Sequence, residues 1–195
     1  MAERESAIAA AIRALAGAQR EEREAAAAEI FRIACNDIEP LARLWALDAE
    51  LARLVGAPAM EITAGVAVEP ELFAAIRNAN GSPRLADVPQ EQDASEFHLN
   101  FGNEARLEIL TTRDPSGEGA IARYLKKFGS GIQHIEIATS DVGRAAEILK
   151  TRFAIQPIYP AARPGADGAR INFFLVTNPA GKKLLLELEE PAKQP

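Results

Sequence analysis

The sequence predicts an α+β protein in which an α-helical N-terminal segment precedes two βαβββ modules that form a curved sheet with a cavity. Three observations indicate this: a change from helical to strand-like patterns near residue 60, a repeated order of elements, and polar residues that alternate with apolar ones. The chain has 195 residues, of which 48% are hydrophobic, enough for one domain with a small addition. We therefore divide it into a helical segment, 1–58, and a larger domain, 59–195.

The N-terminal segment has the composition of α-helices. Residues 3–55 are rich in Ala, Glu, Arg and Leu, and natural breaks at Gly17, Asn36–Asp37 and Gly56 divide them into three helices. The third predicted helix repeats leucines and Trp45 at steps of three and four residues, which gives it an apolar face. We expect this face to pack within the chain or against a second copy, and we predict a homodimer.

The larger domain contains short strands and helices in a repeated order. The predicted elements are strand 61–68, helix 70–78, strands 83–90, 95–101 and 105–111, helix 117–128, strand 131–138, helix 141–152 and strands 154–160, 169–176 and 183–189. The order of strand, helix and three strands therefore occurs twice, in modules of about 61–112 and 131–191. The segment ITAGVAV corresponds in position to GIQHIEI, and RLEIL ends the first module as LLEL ends the second. This correspondence predicts an internal duplication.

Histidine and glutamate recur on one side of the predicted strands. The chain has only two histidines, His98 and His134, and alternate residues of a strand point to opposite faces of a sheet. Parity places six side chains on one face: Glu96, His98, Glu108, His134, Glu136 and Glu187. Imidazole and carboxylate groups are suitable ligands for divalent Zn, Co, Ni, Fe or Mn. A solvent-exposed sheet face has the same alternation, and parity alone leaves both interpretations open.

Charge and hydropathy argue against two classes of partner. The formal net charge is −6 and no long cluster of Lys and Arg occurs, so we do not expect nucleic acid to bind. The apolar runs fall far short of the ~20 residues of a membrane span, and the first residues lack the order of a signal peptide. We expect a cytoplasmic protein that acts on a small molecule.

Residues 107–191 contain a series of motifs in a characteristic order. The first part reads LEILTTRDPSGEGAIARYLKKFGSGIQHIEIATSDVGRAAEILK, and the second reads PGADGARINFFLVTNPAGKKLLLELEEP. This order resembles the vicinal-oxygen-chelate superfamily of glyoxalases, bleomycin-resistance proteins and dioxygenases, and within it most the methylmalonyl-CoA epimerases. The resemblance implies a glyoxalase-like fold. It is looser over residues 61–106, and residues 1–58 lie outside it.

The resemblance also implies one divalent metal, Co, Zn, Ni, Mn or Fe, bound by the first and last strands of each module. His134 and Glu187 match the ligands of the second module, and Glu108 matches one ligand of the first. The fourth ligand should fall near Thr63, where no His, Asp or Glu occurs. His98 is the candidate substitute because parity places it on the same face.

The activity that the resemblance implies is epimerisation by removal of an α-proton from a CoA thioester such as methylmalonyl-CoA. Glu96 and Glu187 match the positions of the two bases. Two alternatives remain open: a glyoxalase-like lyase or an iron oxygenase of the same fold, for which His98, His134 and Glu187 supply two imidazoles and a carboxylate, and a metal-free protein that binds small ligands.

Overall fold

The computed structural model describes residues 2–102 and 105–192. Its helices are α1 (Ala2–Ala14), α2 (Arg20–Trp45), α3 (Ala49–Leu54), α4 (Pro70–Ala79), α5 (Ala120–Phe128) and α6 (Val142–Arg152). Its strands are β1 (Ile62–Ala67), β2 (Ala94–Phe101), β3 (Ala105–Thr112), β4 (Gly131–Ala138), β5 (Arg163–Pro164), β6 (Arg170–Thr177) and β7 (Lys183–Glu190). Among the described residues, no helix combines the length and the apolar character that crossing a membrane requires.

The chain divides into two compact units. The first unit comprises Met1–Ala34 and Thr63–Gln133, and the second unit comprises Cys35–Ile62 and His134–Pro195. Each unit thus combines part of the N-terminal helical segment with one of the repeated strand and helix modules. The boundary predicted near residue 58 between a helical segment and a separate domain stays a prediction.

Helix α2 is longer than the sequence predicts. The predicted break at Asn36–Asp37 is wrong, because α2 continues through these residues and through Pro40 to Trp45. Apolar residues that are buried at helical spacing run along its whole length, namely Ile30, Ala34, Ile38, Leu41 and Trp45. Burial of such a stripe outweighs the helix propensity of Asn and Asp, which lies only about 0.7 kcal/mol or less per residue below that of Ala. The break falls instead at Asp48, whose carboxylate accepts hydrogen bonds from the amides of Glu50 and Leu51 at the start of α3.

In the first unit, β3 lies between β2 and β1, antiparallel to β2 and parallel to β1. Helix α4 provides the crossover between β1 and the other two strands, as a parallel pair requires. Phe73 of α4 contacts Phe97 of β2 edge to face, with 4.8 Å between the ring centroids. The apolar face of β2 and β3 is thereby buried, and Phe97, Leu107 and Ile109 have no exposed surface.

In the second unit, the strand order is β4, β7, β6 and β5. Strand β4 is parallel to β7, whereas β6 is antiparallel to both β7 and β5. Helix α6 follows β4 and buries Ile148 and Leu149, while Phe174 and Leu186 are fully buried on the sheet. The α+β fold class, with its repeated order of strand, helix and strands, is confirmed.

Two predicted strands are wrong. Residues 83–89 have no regular structure, although the amide of Ala86 donates to the carbonyl of Glu96. Residues 154–160 form one isolated bridge between Pro157 and Phe174, and the strand in this part of the chain is the two-residue β5. Prolines interrupt both segments, and a proline has no N–H for a strand ladder.

Ion pairs connect α3 to α6 within the second unit. Arg144 Nε lies 2.6 Å from Glu50 Oε1, and Arg152 lies 2.6 Å from Glu50 Oε2 and 2.7 Å from Asp48 Oδ2. The hydrogen bonds from Arg144 and Arg152 lower the pKa of Glu50 from 4.5 to about 2. These contacts hold α6, which follows β4, against the end of the helical segment.

Candidate functional site

Strand register identifies equivalent positions in the two units. Glu108 of β3 lies opposite Gly65 of β1, and Glu187 of β7 lies opposite Glu136 of β4. Both pairs join a first and a last strand in parallel, so Glu108 corresponds to Glu187. Two residues earlier in the first strands, Thr63 corresponds to His134. Thr63 is buried, with 6% of its surface exposed, but its hydroxyl cannot replace an imidazole as a strong metal ligand.

The neighbouring strands give a second equivalence. His98 of β2 lies opposite Glu108, and Phe173 of β6 lies opposite Glu187, so His98 corresponds to Phe173. In the second unit, the ring of Phe173 meets the ring of His134 edge to face, with 6.1 Å between centroids. Phe173, the residue of the second unit that corresponds to His98, thus contacts His134, the residue that corresponds to Thr63. The first unit carries its imidazole on β2, two strands from the position on β1 that is equivalent to His134.

Glu96, His98 and Glu108 form a cluster in the first unit. One potential ligand atom of each lies within 4.8 Å of those of the other two. The two carboxylates are buried, with exposures of 7% and 6%, whereas His98 is exposed. Antiparallel pairing explains the cluster, because it places His98 directly across from Glu108 and Glu96 on the diagonal, on the same face. Two carboxylates and an imidazole at this separation are suitable ligands for a divalent cation.

His134 and Glu187 form a buried pair in the second unit. His134 Nε2 lies 3.3 Å from Glu187 Oε2, and the two residues are 4% and 7% exposed. Glu136, which is 8% exposed, lies opposite Glu187 in the register. Ionisable side chains are rarely buried to this extent unless they are paired or bind a metal. The alternative of a solvent-exposed sheet face is therefore wrong for these glutamates and for His134, although it holds for His98.

Predicted site residues thus occur in both units. The first unit contains Glu96, His98 and Glu108, and the second contains His134 and Glu187. The geometry of Glu96, His98 and Glu108 suits metal binding. That one ion takes ligands from Glu108, His134, Glu187 and His98 stays a prediction.

Sequence reasoning missed three side chains that form a row beginning at His134, namely Phe173, Tyr159 and Arg163. The ring of Tyr159 contacts that of Phe173, with 6.4 Å between centroids, and the guanidinium of Arg163 lies 4.7 Å above the ring of Tyr159. Parity could have identified Phe173, because it lies opposite Glu187 in β6. Nothing in the sequence indicated these contacts of Tyr159 or Arg163, because the predicted strand 154–160 that contains Tyr159 does not form and Arg163 lies beyond it.

The chain is similar to known proteins in structure. No protein-family profile matches the chain, and no curated protein sequence is similar to it. The methylmalonyl-CoA epimerase of Mycobacterium tuberculosis is similar in structure, with a TM-score of 0.55 and 27% identity over 69% of this chain and 88% of that one. A hypothetical protein from Bacillus halodurans gives a TM-score of 0.57 and 24% identity over 70% of this chain and 98% of that one.

The Streptomyces coelicolor methylmalonyl-CoA epimerase is also similar. Its complex with 2-nitronate-propionyl-CoA gives a TM-score of 0.53 and 22% identity over 67% of this chain and 96% of that one. Another methylmalonyl-CoA epimerase in the same range of likeness was solved with methylmalonyl-CoA and NH4+. The glyoxalase-like fold is therefore confirmed, and the chain is similar to the methylmalonyl-CoA epimerases.

Proposed function

We propose that the protein is a metal-dependent epimerase or isomerase that acts by α-proton abstraction on a CoA thioester such as methylmalonyl-CoA. The observation that carries the proposal is that both units place a histidine beside a buried glutamate of their last strand. These pairs are His98 with Glu108 and His134 with Glu187. The structural likeness to methylmalonyl-CoA epimerases supports the same proposal.

The proposed metal ligands are Glu108, His134 and Glu187, with His98 in place of the residue missing at Thr63. These imidazole and carboxylate groups fit a divalent ion such as Co, Zn, Ni, Mn or Fe. When bound, such an ion acts as a Lewis acid that polarises the carbonyl oxygens of the substrate. The remaining chemistry falls to the side chains of the protein.

Glu96 and Glu187 are the proposed proton-transfer groups. One carboxylate removes the proton from the carbon α to the thioester and becomes a carboxylic acid, which leaves an enolate. The other group, which is a carboxylic acid at the start of the turnover, gives its proton to the opposite face of that carbon and becomes a carboxylate, and the configuration inverts. General acid and base catalysis of this kind contributes typically ~10^2 to 10^4 in rate. Both groups are buried, with 7% of each residue exposed.

The proposed substrate class follows from the same likeness. The related structures were solved with a propionyl-CoA analogue and with methylmalonyl-CoA, and we extend this ligand class to the present chain. The cytoplasmic location and the homodimer predicted from the sequence belong to the same proposal.

A second candidate function is metal-free binding of a small ligand by the same fold. The strand register favours metal-free binding, because Thr63 occupies the position in the first unit that His134 occupies in the second. An ion then lacks one ligand from a first strand, unless His98 supplies it. The glyoxalase-like lyase and the iron oxygenase that the sequence left open share the fold of the main proposal and differ from it in chemistry.

Metal analysis separates the two candidates. Protein purified without added metal is analysed for Co, Zn, Ni, Mn and Fe, and its melting temperature is then measured with added Co and Zn. The proposal expects about one ion per chain, or a rise in melting temperature on addition, because a ligand that binds only the folded state stabilises it. His134→Ala should lose both effects. The absence of bound metal together with an unchanged melting temperature favours the metal-free binding protein.

A further inference from the structure

A row of aromatic side chains leads away from His134 in the second unit. Phe173 meets His134 edge to face at 6.1 Å, and Tyr159 meets Phe173 at 6.4 Å. The row ends at Arg163, whose guanidinium lies 4.7 Å above the ring of Tyr159. The apolar row thus has the buried His134 and Glu187 pair at one end and a cation at the other.

Hydrogen bonds of the Asn172 side chain and the pairing of β5 with β6 hold this row in place. Asn172, which is 1% exposed, donates from Nδ2 to the carbonyl of Tyr159 at 3.1 Å and accepts from the amide of Tyr159 at 3.3 Å. Arg163 pairs with Ile171 of β6. A Cβ at Gly165 would lie 2.6 Å from Ile171 Cγ2, so the chain after Arg163 lies tightly against β6. The row and its cation are therefore fixed parts of the unit.

Arg163 differs from the paired arginines of the same unit. Arg144, Arg152 and Arg170 form ion pairs with carboxylates at 2.6 to 2.9 Å. Within residues 2–102 and 105–192, no group forms an ion pair with the half-buried Arg163 or accepts a hydrogen bond from it. Contact with the face of a ring engages the charge of a guanidinium and leaves its five N–H donors for an anion. Planar N–H donors of this kind match the oxygens of phosphate and carboxylate groups.

The position of Arg163 in the sheet indicates which anion it binds. Strand β5 is three strands from β4 in the order β4, β7, β6 and β5. At about 4.8 Å between neighbouring strands, the backbone of β5 lies, along the sheet, roughly 14 Å from β4 with His134 and roughly 10 Å from β7 with Glu187. A group bound by Arg163 is therefore remote from a carbon that reacts beside His134 and Glu187. In an acyl-CoA, the phosphates are separated from the thioester by the whole pantetheine arm, whereas a carboxylate of the acyl group is adjacent to it.

We propose that Arg163, held by Tyr159, binds a phosphate group of the CoA part of the substrate, while the pantetheine arm lies along Tyr159 and Phe173. The inference rests on the proposed action on a CoA thioester. It assigns substrate recognition to residues that take no part in proton transfer. Phosphate recognition of this kind affects binding of the substrate and leaves the proton-transfer groups unchanged.

Calorimetric titration tests this inference with coenzyme A and with pantetheine, which lacks the phosphates. Arg163→Gln should weaken coenzyme A about tenfold or more, since a charge-assisted contact is lost, and should leave pantetheine unaffected. Tyr159→Leu should weaken coenzyme A as well, because it removes the ring that holds the cation. Arg170→Gln is the matched control: it removes an arginine that pairs with Glu190 and should change neither affinity. Circular dichroism checks that each variant is folded.

Equal affinity of the wild type and Arg163→Gln for coenzyme A overturns the inference, as does failure of the wild type to bind coenzyme A. If Arg163→Gln is unfolded, the result for Tyr159→Leu decides by the same criterion. A loss that also appears with methylmalonyl-pantetheine assigns Arg163 to the acyl carboxylate and contradicts the phosphate. Proton exchange on methylmalonyl-CoA is measured separately. If coenzyme A binding depends on Arg163 but no proton exchange occurs, the epimerase proposal is refuted and the phosphate site stands. If exchange occurs and Arg163→Gln leaves KM unchanged, the phosphate site is refuted and the epimerase proposal stands.

Discussion

His98 carries the part of the proposed metal site that differs between the two units. The second unit has its imidazole on the first strand of the module, at His134, and the first unit has Thr63 at the equivalent position. His98 stands on β2, two strands from β1 and directly opposite Glu108 of the intervening strand β3. Residues directly opposite each other in paired strands point to the same face of the sheet. We propose that His98 supplies the missing ligand.

We expect His98→Ala to lower the bound metal severalfold, because the proposed site loses one of its four protein ligands. Thr63→His in the His98→Ala background should restore metal, since position 63 is equivalent to that of His134. Inductively coupled plasma mass spectrometry of the three purified proteins measures the effect. Full metal occupancy in His98→Ala makes His98 a residue of the substrate site and contradicts its role as a ligand.

The role of Glu96, as a base or as a metal ligand, can be tested by one substitution. If Glu96 is a base, Glu96→Gln should lower α-proton exchange at least ~10^2-fold and leave metal content unchanged, because the amide cannot accept the proton. Exchange on methylmalonyl-CoA in D2O is followed by NMR. Glu71→Gln, which changes an exposed glutamate of α4, should have no effect.

Loss of metal in Glu96→Gln makes Glu96 a ligand instead, which its position within 4.8 Å of His98 and Glu108 permits chemically. Glu187→Gln should lower both exchange and metal content, because that residue has both proposed roles.

Helix α6 depends on charge for its attachment to α3. The pKa of Glu50 is lowered from 4.5 to about 2 by hydrogen bonds from Arg144 and Arg152. A carboxyl group with a lowered pKa stabilises the folded state above its unfolded value and loses that contribution as the pH falls through the folded value. The attachment should therefore be complete above pH 4.5 and weaken between pH 4.5 and about 2.

Glu50→Gln should accordingly lower the melting temperature at pH 7, and its difference from the wild type should shrink as the pH falls from 4.5 toward 2. Thermal unfolding followed by circular dichroism across this range measures the effect. Glu39→Gln provides a control, since Glu39 pairs with Arg43 within one exposed turn of α2 and surface pairs of this kind contribute little. A difference that is constant with pH contradicts the linkage to Glu50.

Gly131 at the start of β4 allows close packing against Tyr124 of α5. Tyr124 of α5 donates a hydrogen bond to the carbonyl of Ile132 at 3.0 Å, and burial raises its pKa to about 12. A Cβ at Gly131 would lie 2.7 Å from the hydroxyl oxygen of Tyr124. The hydroxyl thus occupies the space that any larger residue at Gly131 would need.

Gly131→Ala should destabilise the protein by about 1 to 3 kcal/mol through overpacking, and Tyr124→Phe by about 0.5 to 1.5 kcal/mol through the lost hydrogen bond. The double variant should be more stable than the sum of the two effects, because removal of the hydroxyl also removes the clash. Urea unfolding of the four proteins completes the cycle. Additive effects would show that the two residues do not share this space.

At the scale of the whole molecule, patterns of period two and the repeated order of elements were the informative parts of the sequence. Parity placed Glu96, His98 and Glu108 on one face, and the register of β2 and β3 agrees with that. Propensity failed where tertiary burial decides, as in the continuation of α2 past Asn36, and where prolines leave extended chain without a ladder. The row from Phe173 to Arg163 depends on contacts across strands and a loop, which no local pattern encodes. The likeness to methylmalonyl-CoA epimerases was predictable from motifs in residues 107–191, although no family profile matches.

We propose that this chain catalyses proton exchange at the carbon α to a thioester. Methylmalonyl-CoA is incubated in D2O with wild-type protein loaded with Co or Zn, and incorporation of deuterium at the α-carbon is followed by NMR. The account predicts incorporation far above the rate in buffer, in proportion to enzyme concentration, with loss of the activity after chelation and in Glu96→Gln. Incorporation by the metal-loaded wild type at the rate of buffer alone would contradict it.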